Sequence, residues 1–551
     1  MKIIFLLLAL SLTFFLSCDN SINTNSDEVN SALSDFYWTV QSGSSLNEVI
    51  NDIEIDNKSN IYIVGYTLGD LYGTTNSGNK DIIILKYNDN GTLEWSRQIG
   101  TNKNEEAIGI SKDSQNSIFI VGSTYGGLEG ESHQGSSDVF IIKYNELGAK
   151  QWIDQLGTNK FDYATSVSLD ISGNLFLTGS TNRGLDSNSN AGDNKSDYFI
   201  SKYDNSGNKL STNQFGVTKD DIAYSITIDG SGNLYVTGST SNALDSETHV
   251  GNKDIFIVKF DASLNREWTK QIGTSSDDES YGVTYDSLGN IYVIGYTQGN
   301  LDNNVRNGTG NDKDYFILKY DENGNKIWSR QGGTDTEDIA YDVAKDSLDN
   351  IYIAGKTCSS LNNNNFKGAC DYFLVKYNSS GTVQWTKQGG TSLEDIAKGV
   401  DVDSSNNIYI TGYTYGDLDG QNNNGNYDAF VSKYNPNGTK IWTQLIGGSA
   451  ADYGSSIVIG EDNSIYITGT TYSDIVDGQI SNGLGDVFIT KLNSHGIKQW
   501  TRQLGTSAED RGRGVAVDKS DNIYVTGNTK GGLDNYTNLG GENDIFITKF
   551  K

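Results

Sequence analysis

The stretch Asn350-Ile-Tyr-Ile-Ala-Gly-Lys-Thr357 represents a segment that recurs nine times along the chain. Its copies start at residues 60, 117, 174, 233, 290, 350, 407, 464 and 522. A second segment, represented by Asp314-Tyr-Phe-Ile-Leu-Lys-Tyr320, follows each copy. A third, represented by Trp385-Thr-Lys-Gln-Gly-Gly390, precedes each pair, and its copies are 57 to 60 residues apart. Self-similarity at this period predicts a repeat architecture of nine units.

Each unit is predicted to form four short strands, which we call A to D. Strand A resembles Ala340-Tyr-Asp-Val-Ala344, strand B carries the Ile-Tyr-Ile segment, strand C the Asp-x-Phe-x-x-Lys segment, and strand D the Trp. In the A–B turn, Gly289 can supply the positive φ of a hairpin bulge. Strands B and C are apolar on successive residues, as in Ile82-Ile-Ile-Leu85, so both sheet faces are expected to be covered. Four-stranded sheets stacked around an axis form a β-propeller.

The two ends of the repeat predict how the ring closes. The first unit begins at strand D, over residues 37–41, and the last unit stops at strand C, over residues 544–551. Pairing these two strands would complete the last blade and remove an exposed sheet edge. We therefore predict an all-β fold: a single closed β-propeller of nine four-stranded blades, the last closed by the N-terminal strand. Nine blades exceed the usual range of four to eight.

The first 34 residues differ from the repeat. Two residues with one charge precede an apolar run that ends at Leu16, and this run is too short for a comfortable membrane span. Phe15-Leu-Ser-Cys18 resembles the relaxed, spirochaete-type lipobox of bacterial lipoproteins, since Phe15 replaces the aliphatic residue of the strict pattern. We predict a signal peptide over 1–17, a lipidated Cys18 with a flexible tether over 18–34, and the propeller over 35–551. The alternative is ordinary signal-peptidase cleavage with Cys18 incidental.

A family resemblance is carried by runs such as Gly514-Val-Ala-Val-Asp518 and Asp521-Asn-Ile-Tyr-Val-Thr-Gly527. They resemble the bacterial SBBP β-propeller repeat and also NHL-type blades, and the resemblance covers residues 35–551. It implies an exported cell-surface propeller, usually of uncharacterised function, and it carries no catalytic residues. The SBBP family is named for seven blades, so its blade number is not transferred to nine units.

Composition narrows the possible functions. Lys and Arg number 41 and Asp and Glu number 70, which gives a formal net charge of −29. This field would repel a nucleic-acid backbone, so nucleic acid is not expected as a partner. With three His, three Cys and one Met, the usual catalytic groups and soft metal ligands are scarce. His133, His249 and His495 are expected to be scattered surface residues.

Nine carboxylates recur ten residues after the Trp position of each unit. They can accept backbone N–H bonds at the D–A turn, which is a structural role. Alternatively, they form a ring of negative charge near the channel mouth that binds cations or a basic ligand. The candidate acidic ring consists of Glu48, Glu105, Asp162, Asp221, Asp278, Asp338, Asp395, Asp452 and Asp510.

In every unit, a lysine also recurs near the end of strand C. Lysines such as Lys319 are expected to form ion pairs, in or between blades, with A–B turn aspartates such as Asp346, because both lie at the same end of the sheet. Cys358 and Cys370 bracket one B–C loop and are predicted to form a disulfide, with two free thiols as the alternative.

Strand direction separates two faces of the ring. The D–A connections and the long Asn/Gly/Asp-rich B–C loops share one face, the loop face; the A–B and C–D turns share the other, the turn face. Binding function usually resides on such loops, although solvated spacers without a ligand are the alternative. Ca²⁺ could use the many oxygen ligands, but no copy has the EF-hand spacing, and no cofactor is predicted.

These observations lead to one functional hypothesis with two alternatives. We predict an exported lipoprotein of the cell envelope, anchored by acyl chains on Cys18 to a membrane and placed at the outer membrane or cell surface. Its propeller binds a protein or glycan through the loop face, without enzymatic activity. The first alternative is a propeller hydrolase or lyase with its site in the central channel. The second is a structural envelope protein without a specific ligand.

Overall fold

The computed structural model describes residues 36–192, 195–306, 312–460, 462–472, 475–476 and 479–551. The predicted signal peptide, Cys18 and the tether lie outside these residues. Within the described ranges, no helix is long and apolar enough to cross a membrane.

Nine four-stranded antiparallel sheets form the blades of a ring, each in the order A-B-C-D. Strands A are Glu48–Ile55, Glu105–Lys112, Asp162–Leu169, Asp221–Ile228, Asp278–Tyr285, Asp338–Lys345, Asp395–Val402, Asp452–Ile459 and Asp510–Val517, in blades 1 to 9. Strands B are Ile61–Thr67, Ile118–Thr124, Leu175–Thr181, Leu234–Thr240, Ile291–Thr297, Ile351–Thr357, Ile408–Thr414, Ile465–Thr471 and Ile523–Thr529.

Strands C are Asp81–Tyr87, Asp138–Tyr144, Asp197–Tyr203, Asp254–Phe260, Asp314–Tyr320, Asp371–Tyr377, Asp428–Tyr434, Asp486–Leu492 and Asp544–Phe550. Strands D are Leu93–Ile99, Lys150–Leu156, Lys209–Phe215, Arg266–Ile272, Lys326–Gly332, Val383–Gly389, Lys440–Ile446 and Lys498–Leu504, with Phe36–Ser42 serving blade 9. Short elements in the B–C loops are the 3₁₀ turns Leu128–Gly130, Leu301–Asn303, Leu361–Asn363 and Leu533–Asn535 and the strand pair Ile475–Val476 and Gln479–Ile480.

The ring closes as the sequence predicts. The N-terminal strand pairs antiparallel with strand C of blade 9, and this places Trp38 opposite Lys549 and Gln41 opposite Phe546. Beyond blade 9, Trp38 Nε1 and Lys549 Nζ both donate to the carbonyl of Asp89 in blade 1, at 3.1 and 2.9 Å. The single closed nine-bladed propeller is confirmed.

The hydrophobic core lies between neighbouring blades. One cluster joins Tyr62 and Ile84 of blade 1 to Ile110 and Ile118 of blade 2, and another joins blade 9 to blade 1. Strands B and C are buried on both faces because each sheet is covered by the sheet before it and the sheet after it. The continuous apolar runs of these strands follow from that stacking.

On the turn face, hydrogen bonds to one carbonyl link most of the described blades to the next. The strand-D Trp and the strand-C Lys of a blade donate to the same C–D turn carbonyl of the following blade; Trp95 and Lys86, for example, both reach Glu146 O, at 3.2 and 2.9 Å. Six tryptophans and eight lysines make this contact within the described residues.

The expected ion pair between the strand-C Lys and the A–B turn Asp is only partly correct. Among the residues that the structure describes, it occurs within 4 Å inside four blades, with Lys143–Asp113 at 3.2 Å and Lys319–Asp286 at 3.1 Å as the shortest. The carbonyl of the next blade is the more general partner of this lysine. The turn Asp mainly caps its own hairpin: Asp286 accepts the N–H groups of Leu288 and Asn290, and Gly289 has the expected positive φ of 77°.

Candidate functional site

The loop face is where the B–C loops meet the D–A connections of the ring. Leu68 N in a B–C loop donates to Asn47 O in a D–A connection at 2.8 Å, and short parallel bridges such as Ser137 with Phe161 join one blade to the next. The predicted placement of these two kinds of connection on one face is therefore observed.

The nine carboxylates of the candidate acidic ring are fully buried beneath this face. Asp395 accepts the N–H and hydroxyl of Thr391 at 2.6 and 3.0 Å and the hydroxyl of Thr414. Glu48 accepts the equivalent bonds from Ser44 and Thr67, at 2.6 to 3.0 Å. Burial raises the pKa of Asp395 to about 6 and that of Glu48 to about 7. Through these bonds the two carboxylates link the residues of their D–A turns.

A second set of buried carboxylates begins every strand C. Asp81 Oδ2 accepts an N–H from the Gln98 amide at 3.0 Å, and the Gln98 oxygen accepts the N–H of Leu71 in the B–C loop. A Cβ on Gly100 would lie 1.9 Å from Asp81 Oδ1, which explains why this position is glycine. All nine units show the same close approach of this glycine to the strand-C Asp. The recurring Gly, Gln and Asp thus hold the loops on the ring, a role that sequence reasoning missed.

Exposed aromatic side chains are concentrated on the loop face and in the channel behind it. In the part of the chain that the structure describes, the exposed aromatic side chains are Tyr72, Tyr125, Phe161, Tyr163, Tyr281, Tyr453, Tyr472 and Tyr536. They lie in B–C loops, in a D–A connection or in the loop-side half of a strand A. The large apolar residues exposed on the turn face, such as Leu288 and Leu348, are aliphatic.

Five tyrosines of blades 7 and 8 form a contiguous group that we call the tyrosine platform: Tyr413, Tyr415, Tyr427, Tyr453 and Tyr472. The ring centroids of Tyr413 and Tyr427 are 5.1 Å apart, those of Tyr427 and Tyr453 5.4 Å, and those of Tyr453 and Tyr472 6.4 Å. The residues come from a strand B, two B–C loops and a strand A. Only the packing of two blades brings them together.

A basic group adjoins the platform in blade 9. Tyr472 donates its hydroxyl to Glu509 at 2.8 Å, and Arg511 and Lys530 form ion pairs with the same carboxylate at 2.7 and 3.0 Å. Although burial raises the pKa of Glu509, the hydrogen bonds from Arg511, Lys530 and Tyr472 lower it to about 2. Strand A of blade 9 carries a second arginine, Arg513, in the channel wall.

The remaining candidate residues are placed as follows. Cys358 and Cys370 form a disulfide, with Cα atoms 3.9 Å apart. The histidine prediction is wrong in one respect: His133 and His249 occupy equivalent places in two B–C loops, and each has its Nδ1 3.3 Å from the strand-C aspartate that follows. Among the described residues, no group of three or more His, Cys, Asp or Glu is arranged to hold a metal ion.

Comparison with known proteins identifies the repeat. The profile of the SBBP β-propeller repeat matches seven segments, at residues 151–186, 212–244, 267–302, 327–367, 384–419, 441–475 and 499–534. Each matched segment covers most of a strand D and the strands A and B that follow, so the family repeat crosses from one blade into the next.

The chain is also similar to two curated proteins. It is 21 % identical over 538 residues to an uncharacterized WD repeat-containing protein of Acanthamoeba polyphaga mimivirus, covering 79 % of this chain and 36 % of that protein. It is 22 % identical over 360 residues to the regulatory protein FlaEY of Caulobacter vibrioides, covering 58 % of this chain and 37 % of that protein. The chain thus spans little more than a third of the length of these relatives.

Two solved structures are similar to this chain at low sequence identity. A eukaryotic initiation factor matches with a TM-score of 0.42 and 7 % identity, covering 84 % of this chain and 90 % of that one. Sqt1 from Chaetomium thermophilum matches with a TM-score of 0.42 and 8 % identity, covering 79 % and 96 %. Scores at this level support no functional comparison.

Proposed function

Because this chain is a β-propeller repeat protein that carries SBBP repeats, a fold that generically serves as an interaction module, we propose that it binds a protein or glycan through its loop face. The observation that carries the proposal is the distribution of exposed aromatic side chains, which occupy the loop face and the channel behind it. Tyr and Trp are enriched at interfaces because they offer large contact areas with a polar tip.

The construction of the loop face suits a binding surface. Tyrosine has few rotatable bonds, so it loses little conformational entropy when a ligand orders it. Among the described residues, a bond between the strand-D Gln and the strand-C Asp holds the B–C loops of eight blades, as in the Gln98–Asp81 bond, and Leu445 stands at the Gln position of blade 7. A rigid scaffold that presents variable loops is the usual arrangement for recognition.

The start of the described chain supports an anchored orientation. Strand D runs from the turn face to the loop face, so Phe36, its first residue in blade 9, lies at the turn face on the outer edge of the ring. We propose that acyl chains on Cys18 hold this side toward a membrane of the cell envelope, at the outer membrane or cell surface, and that the loop face points away from it. Palmitate labelling of the full chain and of Cys18→Ser tests the anchor, since only the former should be labelled and sediment with membranes.

We also propose that the propeller acts without catalysis and without a cofactor. The carboxylates that recur in every blade are engaged by backbone N–H groups and threonine hydroxyls, as at Asp395, so they are not available for acid–base work in the channel. A panel of glycosidase, esterase and lyase substrates tests this. Turnover that co-purifies with the protein and is absent from heat-inactivated controls would replace the binding proposal with an enzymatic function.

The binding proposal is tested by screening the purified protein against glycan and surface-protein arrays. Tyr453→Ser and Tyr472→Ser should remove the strongest signals, because they delete exposed rings of the tyrosine platform. Leu288→Ser and Leu348→Ser are the matched controls, since they remove exposed apolar side chains from the turn face. Loss of binding in the turn-face variants alone, or no ligand on any array, would refute a recognition role for the loop face.

A further inference from the structure

The wall of the channel contains two adjoining cavities in the region where blade 9 meets blades 8 and 1. One has a volume of about 300 Å³ and is bounded by strands A of blades 8, 9 and 1. The other has a volume of about 120 Å³ and lies closer to the loop face, beside Arg511 and Lys530. Arg513 borders both cavities. No other strand A contains an arginine, so this stretch of wall differs from its eight counterparts.

Each cavity contains a buried oxygen that has no hydrogen-bond partner among the described residues. Thr526 Oγ1 borders the larger cavity, and the residue is 1 % exposed. Asn528 Oδ1 borders the smaller one, and the residue is 4 % exposed, while its Nδ2 donates to Glu48 O at 2.8 Å. Buried polar atoms are nearly always paired, so two unpaired oxygens at one place call for an explanation.

Comparison with the other blades shows that the state of Thr526 is not a general property of the repeat. Threonines occupy the same position of strand B in blades 3, 4, 7 and 8. Each of them donates its hydroxyl to a carbonyl of strand C, for example Thr237 to Phe256 O at 2.7 Å. In blade 9, the Thr526 hydroxyl instead lies toward Gly514: a Cβ added to that glycine would be 3.3 Å from Thr526 Oγ1. Gly514 itself borders the larger cavity.

The charges and polar groups around the cavities define the chemistry of an occupant. Arg513 has no hydrogen bond or ion pair within the part of the chain that the structure describes. Arg511 and Lys530 share the single carboxylate of Glu509, which leaves a local excess of positive charge. Because the whole chain has a formal net charge of −29, this local excess favours a ligand with a single carboxylate over a polyanion. The carboxylate in the larger cavity, Asp52, has both oxygens bonded to backbone N–H groups, those of Ile53 and Ile110, at 2.9 and 3.0 Å. A guanidinium without a partner favours a carboxylate.

The orphaned oxygens add a second requirement. Asn528 Oδ1 can only accept, so the occupant must donate a hydrogen bond to it, as a hydroxyl does. The larger cavity is otherwise lined by short polar side chains, including Asn51, Ser455 and Ser456. An occupant with several hydroxyl groups and one carboxylate satisfies all of these groups at once, and the small volumes fit a single sugar ring with its substituents.

We propose that this channel-wall site binds a carboxylate-bearing saccharide of the uronic acid type, with Arg513 on its carboxylate and Thr526 and Asn528 on its hydroxyl groups. The proposal rests on the loop-face binding function and specifies the ligand class of its channel side. The tyrosine platform, joined to the site through Tyr472 and Glu509, provides flat rings for further residues of the same glycan chain.

Calorimetric titration of the full chain with D-glucuronate at fixed ionic strength tests the proposal, with D-glucose as the uncharged comparison. Glucuronate should bind and glucose should bind at least tenfold more weakly, as expected for loss of a charge-assisted bond. Arg513→Gln should weaken glucuronate binding about tenfold or more. Lys398→Gln is the matched control: it removes another channel-wall cation, whose Nζ lies over the Tyr341 ring at 3.6 Å, and should leave the affinity unchanged.

Thr526→Val separates binding from folding. It should weaken glucuronate binding about three- to tenfold without lowering the melting temperature, because the hydroxyl has no partner in the described part of the protein. Thr237→Val should lower the melting temperature and leave glucuronate binding unchanged, since the Thr237 hydroxyl bonds Phe256 O and the Ser280 hydroxyl. Equal binding of glucose and glucuronate, or unchanged affinity in Arg513→Gln, overturns the proposal.

The failure of this inference can be distinguished from failure of the binding function. If a poly-glutamate peptide binds in an Arg513-dependent manner and glucuronate does not, the site recognises acidic protein segments and the saccharide assignment is wrong. If neither probe binds, but Tyr453→Ser still abolishes binding to ligands found on the arrays, the loop-face function is supported and only the channel-wall site is refuted.

Discussion

One departure from the repeat predicts a compensating pair that can be tested by a double-mutant cycle. In seven blade junctions, the strand-D Trp packs on the C–D turn glycine of the next blade, and a Cβ on that glycine would lie 2.2 to 2.7 Å from the nearest ring atom. Between blades 3 and 4, Ser211 replaces the Trp and Leu264 replaces the glycine. Leu264 is 2 % exposed and packs with Phe215 and Ile228. The leucine fills the volume that the indole occupies elsewhere.

The expected energies follow from burial and strain. Leu264→Gly removes a buried side chain, which lowers the free energy of unfolding by about 2–5 kcal/mol. It also removes the backbone strain of a non-glycine residue at φ 61°, which restores about 1 kcal/mol. We expect net destabilisation of about 3 kcal/mol. Ser211→Trp overpacks the junction and costs about 2 kcal/mol. The double variant rebuilds the Trp152–Gly207 arrangement of the preceding junction and should lie within about 1 kcal/mol of the unaltered chain.

Guanidinium unfolding monitored by circular dichroism measures the cycle. The coupling energy between the two positions should be about 4 kcal/mol or more, in the stabilising direction. In the reverse experiment, Trp152→Ser with Gly207→Leu should also be less damaging than the two single changes added together. Additive single effects at both junctions would refute the complementarity of these side chains.

Three further outcomes are expected. Burial raises the folded-state pKa of Glu48 and Asp221 to about 7, above the values in the unfolded chain, so the protonated carboxyls stabilise the fold fully below about pH 4 and this contribution is lost as the pH rises through 7. The melting temperature should therefore fall between pH 5 and pH 8 at constant ionic strength. A rise over this range would contradict the reasoning. Gly100→Ala forces a Cβ to 1.9 Å from Asp81 Oδ1 and should cost about 2–4 kcal/mol in denaturant titrations, whereas Gly230→Ala, with no atom within 4 Å of the added Cβ, should cost less than about 0.5 kcal/mol. Deleting residues 36–42 exposes the edge of strand C in blade 9 and should produce dimers or aggregates in size-exclusion chromatography; an unchanged monomer would contradict closure by this strand.

Most of the fold could be predicted because its determinants are local in the sequence. The apolar runs of strands B and C, the turn glycines such as Gly289 and the split blade at the two ends each indicate a strand, a turn or a pairing without knowledge of distant residues. The partner of the strand-C lysine was predicted less well. Lys86 lies beside the turn of its own blade, but the bond to Glu146 O depends on how the next blade is placed, and that placement is set by packing between sheets.

The candidate site was predictable only in outline. The loop face follows from strand direction, and the sequence Arg511-Gly-Arg-Gly514 was a visible signal, since no other strand A carries an arginine. Two features could not be inferred from the sequence: Arg513 has no hydrogen bond or ion pair to any residue that the structure describes, and Thr526 turns away from its strand-C carbonyl. Thr237 and Thr526 occupy the same position in the repeat but differ in hydrogen bonding.

By itself, the sequence determined the all-β class, nine blades, the strand order and the closure of the ring, because period and apolar pattern repeat along the chain and the ends complement each other. The tertiary structure alone decided which side chains meet across a junction: the tyrosine platform, the oxygen atoms left without partners and the replacement of an indole by Leu264. These depend on contacts between sheets about one repeat apart, where side-chain direction and packing, not local sequence, select the neighbour.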